Sequence, residues 1–132
     1  MADLVRINVL DSPIQGPWSN GVRVGNLVFT SGQIPVDPAT GKVPGPGMRE
    51  QVHQSMRNVS AILAAGGTDL RSVAKVVVYL RDYSDFAVLS EAYGEYFPDE
   101  LYPARTTVTV AALPIIDGVM CRLIIDAIAV TG

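Results

Sequence analysis

Arg105 and Asp126 are the two charged residues whose neighbours suit them least. Arg105 leads into Thr-Thr-Val-Thr-Val-Ala-Ala-Leu, and Asp126 sits inside Leu-Ile-Ile-Asp-Ala-Ile-Ala-Val. Both stretches read as strands, so both charges are expected to be partly buried. A buried charge is costly unless it is paired or bound. A guanidinium so placed suits a ligand carboxylate, because its planar fork gives two parallel hydrogen bonds. A carboxylate suits orienting or deprotonating a water. If the two strands form a hairpin turning near residues 115–116, Arg105 lies nearly opposite Asp126 and shares its face. Arg122, four positions from Asp126 on the same strand, is about 13 Å away and too far to pair with it. The pair then either ties the hairpin together as a plain salt bridge or flanks a small polar pocket, and spacing alone leaves both open.

Other kinds of site are missing from the sequence. One cysteine and one histidine cannot build a zinc site. There is no Walker loop, no dinucleotide fingerprint and no Gly-x-Ser-x-Gly. His53 reads as a solvated helix residue and Cys121 as an inert thiol in an apolar strand.

The elements that must position Arg105 and Asp126 follow from periodicity. Val5–Val9 alternates as a first strand, and residues 12–17 form a loop because of their two prolines. Val22–Val24 and Leu27–Ser31 form a hairpin around Gly25-Asn26. Residues 35–47 carry four prolines and three glycines and read as a loop. Val52, Met56, Val59 and Leu63 form one apolar stripe, which predicts a helix from Met48 to about Ala65, closed by Gly66-Gly67. Glu50, His53, Gln54 and Arg57 lie mostly off that stripe. Val73–Leu80 suits a strand covered on both faces. A second helix, capped by Asp82 or Ser84, runs to about Phe97 with Phe86, Leu89 and Tyr93 buried. Arg105–Ala112 and Val119–Val130 are the last strands. The order β-ββ-α-β-α-ββ predicts an α+β fold, a mixed sheet with both helices on one face. The other face then needs a cover, and a second copy of the chain is the simplest one.

The 132 residues fit one domain, 1–132. Hydrophobic residues make up 48% and charged residues 17%, which hints at apolar surface hidden between subunits. The net charge of −3 and the lack of a basic cluster argue against nucleic acid. No apolar run approaches a membrane span. The absence of a signal-like opening and the lone cysteine point to a cytoplasmic protein.

Four segments, Gly16–Ser19 (GPWS), Val24–Pro35 (VGNLVFTSGQIP), Pro103–Val108 (PARTTV) and Ile125–Val130 (IDAIAV), together resemble the RidA/YjgF family of reactive-intermediate (enamine/imine) deaminases. The match runs over nearly the whole chain in the same order. The resemblance implies a chorismate-mutase-like fold, a homotrimer with clefts between subunits, and hydrolysis of 2-imino acids to 2-keto acids and ammonia without metal or cofactor. It implies that Arg105 clamps the substrate carboxylate and that Asp126 helps position the attacking water. Ser31, Gly32 and Trp18 would line the cleft, Thr107 would contribute through its backbone, and Ser90 would reach in from the neighbouring subunit. Trp18 stands where tyrosine is usual, Asp126 where glutamate is, Thr107 where cysteine is, and Ser90 where asparagine or a similar group is. A module that binds a keto acid without turnover is the competing reading. Endoribonuclease activity, known for some relatives, ranks below both on charge.

Overall fold

A computed structural model of the chain describes residues 3–10 and 16–132. Most of the loop expected at 12–17 lies outside the described residues. Eight strands and two helices follow in the order β1 (Leu4–Ile7), β2 (Gly21–Val24), β3 (Leu27–Thr30), α1 (Met48–Ala65), β4 (Val73–Leu80), α2 (Phe86–Gly94), β5 (Ala104–Thr109), β6 (Ile115–Ile116), β7 (Val119–Met120) and β8 (Leu123–Val130). The two helices pack on one face of a six-stranded sheet of order β1-β2-β3-β8-β4-β5.

The apolar stripe of α1 becomes the centre of the core. Val52, Met56, Val59 and Leu63 are at most 1% exposed and pack with Val76 and Val78 of β4 and Ile125 and Ala127 of β8. Burying each such side chain contributes about 1.5–3 kcal/mol. The helix starts where Glu50 Oε1 accepts the backbone N–H of Gly47 at 2.9 Å. It ends where Gly67, at φ +87°, takes the left-handed turn that a side chain would resist.

The buried arc of α1 is wider than its apolar stripe. Gln51, Gln54, Ser55 and Asn58 are also buried. Gln51 explains why: its amide donates to the carbonyls of Gly45 and Met120 and accepts from the N–H of Arg122. Asn58 donates to the Val36 carbonyl at 2.8 Å. These polar side chains stitch the proline-rich loop to the sheet, and a buried polar group is tolerated when so paired. Under that loop Val36, Val43 and Cys121 form a second small core. Burial pushes the Cys121 thiol up to about 11, which keeps it protonated.

Asp82 caps the approach to α2, accepting the Ser84 N–H at 2.9 Å. A 3-10 turn over Tyr83–Asp85 then leads into α2, which stops at Gly94, short of Phe97. Phe97 is buried beyond the helix end.

The last strands differ from the hairpin expected. β5 runs parallel to β4, with Arg105 opposite Val76, and β8 pairs antiparallel to the other edge of β4, with Asp126 opposite Val77. The cause is the crossover through α2, which returns the chain to the same end of the sheet and makes β4-α2-β5 a parallel unit. The tight turn near residue 116 exists, but it joins only β6 and β7. Asp117 (φ 51°) and Gly118 (φ 78°) both adopt the positive φ that such a turn requires.

The face of the sheet away from the helices carries Phe29, Val77, Tyr79, Val108, Ile124 and Ile128, all half-buried or exposed in the single chain. No helix among the described residues is long and apolar enough to cross a membrane.

Candidate functional site

Arg105 lies on the helix face of β5, because its partner Val76 points into the core beneath α2. Its guanidinium carbon sits 4.9 Å from the ring centre of Tyr93 and 5.4 Å from that of Phe86. Nη2 donates to Ser90 Oγ at 2.9 Å. Phe86, Ser90 and Tyr93 fall at i, i+4 and i+7, so one side of α2 forms the whole seat. Among the described residues no carboxylate forms an ion pair with Arg105. The charge is held by aromatic faces and one hydroxyl, and Ser90 is the one hydrogen-bond partner of its side chain among the described residues.

Two buried hydroxyls beside it have no hydrogen-bond partner among the described residues: Tyr93 Oη and Thr107 Oγ1. Thr107 is two residues along β5 on the same face as Arg105. Burial pushes the Tyr93 phenol up to about 12, with Arg105 pulling the other way, so it remains a donor.

Asp126 is not beside Arg105. It pairs with Val77, the neighbour of Val76, so the two charges point to opposite faces of the sheet. The expected cross-strand pairing fails for that reason. Asp126 is half-buried between Ile124 and Ile128 on the open face. Burial raises its pKa, and a hydrogen bond from Tyr79 acts the other way.

Trp18 and Gly32 meet in a third place. They share a cavity of about 260 Å³ with Leu10, Ile34, Pro114 and Ile124. Trp18 is 58% exposed and its ring lies against Gly16, where a Cβ would come 2.0 Å from a ring carbon. Ser31 holds this loop: its hydroxyl donates to the Ser19 carbonyl and its N–H to that of Asn20 at 2.7 Å. The hydroxyl is thus engaged in shaping the loop. A Cβ on Gly32 would come 2.6 Å from Ile124 Cγ2, so the chain touches β8 there. The residue of the last strand that reaches this pocket is Ile124, and Asp126 is not part of its wall.

Within one chain, then, Arg105, Ser90 and Thr107 stand together, Trp18, Ser31 and Gly32 stand together, and Asp126 lies apart on the open face. Sequence reasoning assigned Phe86 and Tyr93 to the core and missed their part in seating Arg105. The i, i+4, i+7 spacing around Ser90 was the available signal. It also missed Ile124, whose alternation with Asp126 places both on one face. His53, read as solvated, is half-buried, with Nδ1 2.7 Å from the Tyr96 hydroxyl. No group of three or more His, Cys, Asp or Glu side chains among the described residues could hold a metal ion.

Residues 10–131 match the family model described as Endoribonuclease L-PSP. The chain is 43% identical over 101 residues to the 2-iminobutanoate/2-iminopropanoate deaminase of Escherichia coli, covering 75% of this chain and 78% of that protein. Its fold superposes on E. coli TdcF, crystallised with bound serine, with a TM-score of 0.86 and 39% identity, covering 97% of this chain and 99% of that one. It superposes equally on the E. coli YjgF gene product, with a TM-score of 0.85 and 39% identity over 96% and 98% of the two chains. The match spans all four motifs and every element around Arg105, and the chain belongs to the Endoribonuclease L-PSP family, the family of RidA and YjgF.

Proposed function

We propose that the protein hydrolyses 2-imino acids to 2-keto acids and ammonia in clefts between three copies of the chain. The observation that carries this reading is the state of Arg105: a half-buried guanidinium on aromatic faces, bonded to Ser90 and to no carboxylate of the described chain. The deaminase named among its relatives supports it. So does the division of the site into two half-sites within one chain, which leaves Arg105 and the Trp18 pocket each to be completed by another copy.

In this mechanism Arg105 takes the substrate carboxylate through two parallel hydrogen bonds. Held there, the electrophilic C=N carbon needs only a positioned water, so orientation supplies much of the acceleration. Water adds to the carbon to give a carbinolamine, the nitrogen takes up a proton, and as the C–N bond breaks to release ammonia the hydroxyl gives up its proton to leave the keto acid. This reading gives proton handling to Asp126, whose raised pKa suits a group that both accepts and returns a proton. Because Asp126 lies outside the wall of the Trp18 pocket of its own chain, the role requires that assembly bring its open face to a cleft.

Stopped-flow hydrolysis of imino acids made in situ by an amino-acid oxidase tests the proposal. Wild type accelerates hydrolysis and Arg105→Ala does not; equal rates for the two proteins would remove it. One observation favours the alternative, a module that binds keto acids without turnover: the pocket wall contributed by β8 is apolar Ile124 and holds no carboxylate. Binding of 2-ketobutyrate with no turnover of any imine would decide for that alternative. RNA cleavage fits less well, because the site holds one arginine in an acidic chain.

A further inference from the structure

We infer that the side chain of the natural substrate is bulky and apolar, branched or aromatic, and that Trp18 and Ile124 select it. The inference rests on the proposed reading for where the carboxylate is held, and it names what the rest of the substrate must be.

The cavity beside Trp18 has a volume of about 260 Å³. A dry apolar cavity of about 150 Å³ is enough to hold a benzene ring. A methyl or ethyl side chain would cover little of the apolar wall and leave the rest against water, whereas a larger one would remove more of it from water.

The chemistry of the walls points the same way. Most of the lining is hydrocarbon, and no charged side chain reaches it. Three polar side chains do reach it, each with at least one of its groups engaged within the chain. Asn58 donates to the Val36 carbonyl at 2.8 Å and accepts from Gln54 at 3.0 Å. Asn20 Oδ1 accepts the N–H of Leu10 at 2.8 Å. The Gln33 amide nitrogen donates to the Ser31 carbonyl at 3.2 Å. A second carboxylate entering here would lose its water without meeting a cation, because no charged side chain lines the cavity. Each added methylene would gain from burial. Gly32 adds to the selection by its lack of a side chain, which lets Ile124 form the inner wall.

The test compares imino acids generated from leucine, phenylalanine and alanine, with kcat/KM measured for each. The expected result is at least tenfold higher kcat/KM for the leucine- or phenylalanine-derived imine than for the alanine-derived one. Ile124→Asn, at a half-exposed position where folding is checked by thermal melting, should cut that ratio at least fivefold. A wild-type ratio at or below one would overturn the inference while leaving the deaminase reading intact. If no imine is turned over, the deaminase reading fails, and calorimetry decides the pocket separately. 4-Methyl-2-oxopentanoate should then bind at least tenfold more tightly than pyruvate, and equal affinities would overturn the inference.

Discussion

The state of Arg105 is set by what surrounds it. Phe86 and Tyr93 give its charge a favourable seat without using its donors, and Ser90 uses one of them. Arg105→Ala should therefore lower kcat/KM about 100-fold or more in the stopped-flow assay, the loss expected when charge-assisted hydrogen bonds to a carboxylate vanish. Arg105→Lys should recover only part of it, because an ammonium cannot offer the planar fork. Asp126 makes a prediction about pH. Its carboxyl, 3.8 when unfolded, is raised in the folded protein by burial. The folded state thus favours the protonated form, and stability falls as pH rises from the unfolded value through the higher folded one. Asp126→Asn removes that deficit. Its melting temperature should exceed that of wild type near neutral pH, and the difference should disappear as pH falls toward 3.8. Both residues stood out in the sequence because a charge in an apolar strand is anomalous on any fold. Their relation did not, since facing is decided by which strand lies between them. The intervening β4 puts them on opposite faces, while a direct hairpin would have put them on one.

Among the elements, the bounds of α1 and β4 were readable, because apolar residues spaced 4, 3 and 4 apart mark a helix face and a β-branched run favours a strand. One face of β4 is nevertheless left half-buried or exposed in the chain, where cover on both faces was expected. The parallel pairing of β4 with β5 was not, because periodicity reports which residues face a core and says nothing of strand direction. The buried polar residues of α1 were also hidden: Gln and Asn look solvated until a loop supplies their partners. Gln51 shows what they contribute. It is fully buried and meets two carbonyls and one N–H from two separate segments. Gln51→Leu would leave all three backbone groups unpaired and should cost about 2–4 kcal/mol. The urea midpoint should drop accordingly with little change in slope. A loss under 0.5 kcal/mol would mean that water replaces the side chain and that the proline-rich loop is held by its own small core.

At the scale of the whole molecule, the open sheet face and the divided site are what the proposed assembly of copies would complete. Sedimentation should give a particle three times the 14.1 kDa chain mass. Ile128→Glu, which sets a charge in the middle of the open face, should yield smaller species that have lost activity although each chain remains folded. The resemblance to RidA implied this assembly from the sequence, and the half-sites supply an independent physical reason for it. The central claim, that Arg105 of one chain and the Trp18 pocket of another form a single cleft, is tested most directly by a crystal of the protein soaked with 4-methyl-2-oxopentanoate. The account predicts the ligand carboxylate on both terminal nitrogens of Arg105 and its branched tail against Trp18 and Ile124 of an adjoining copy. A carboxylate bound elsewhere, or Arg105 closed onto an acidic side chain of the adjoining copy, would contradict it.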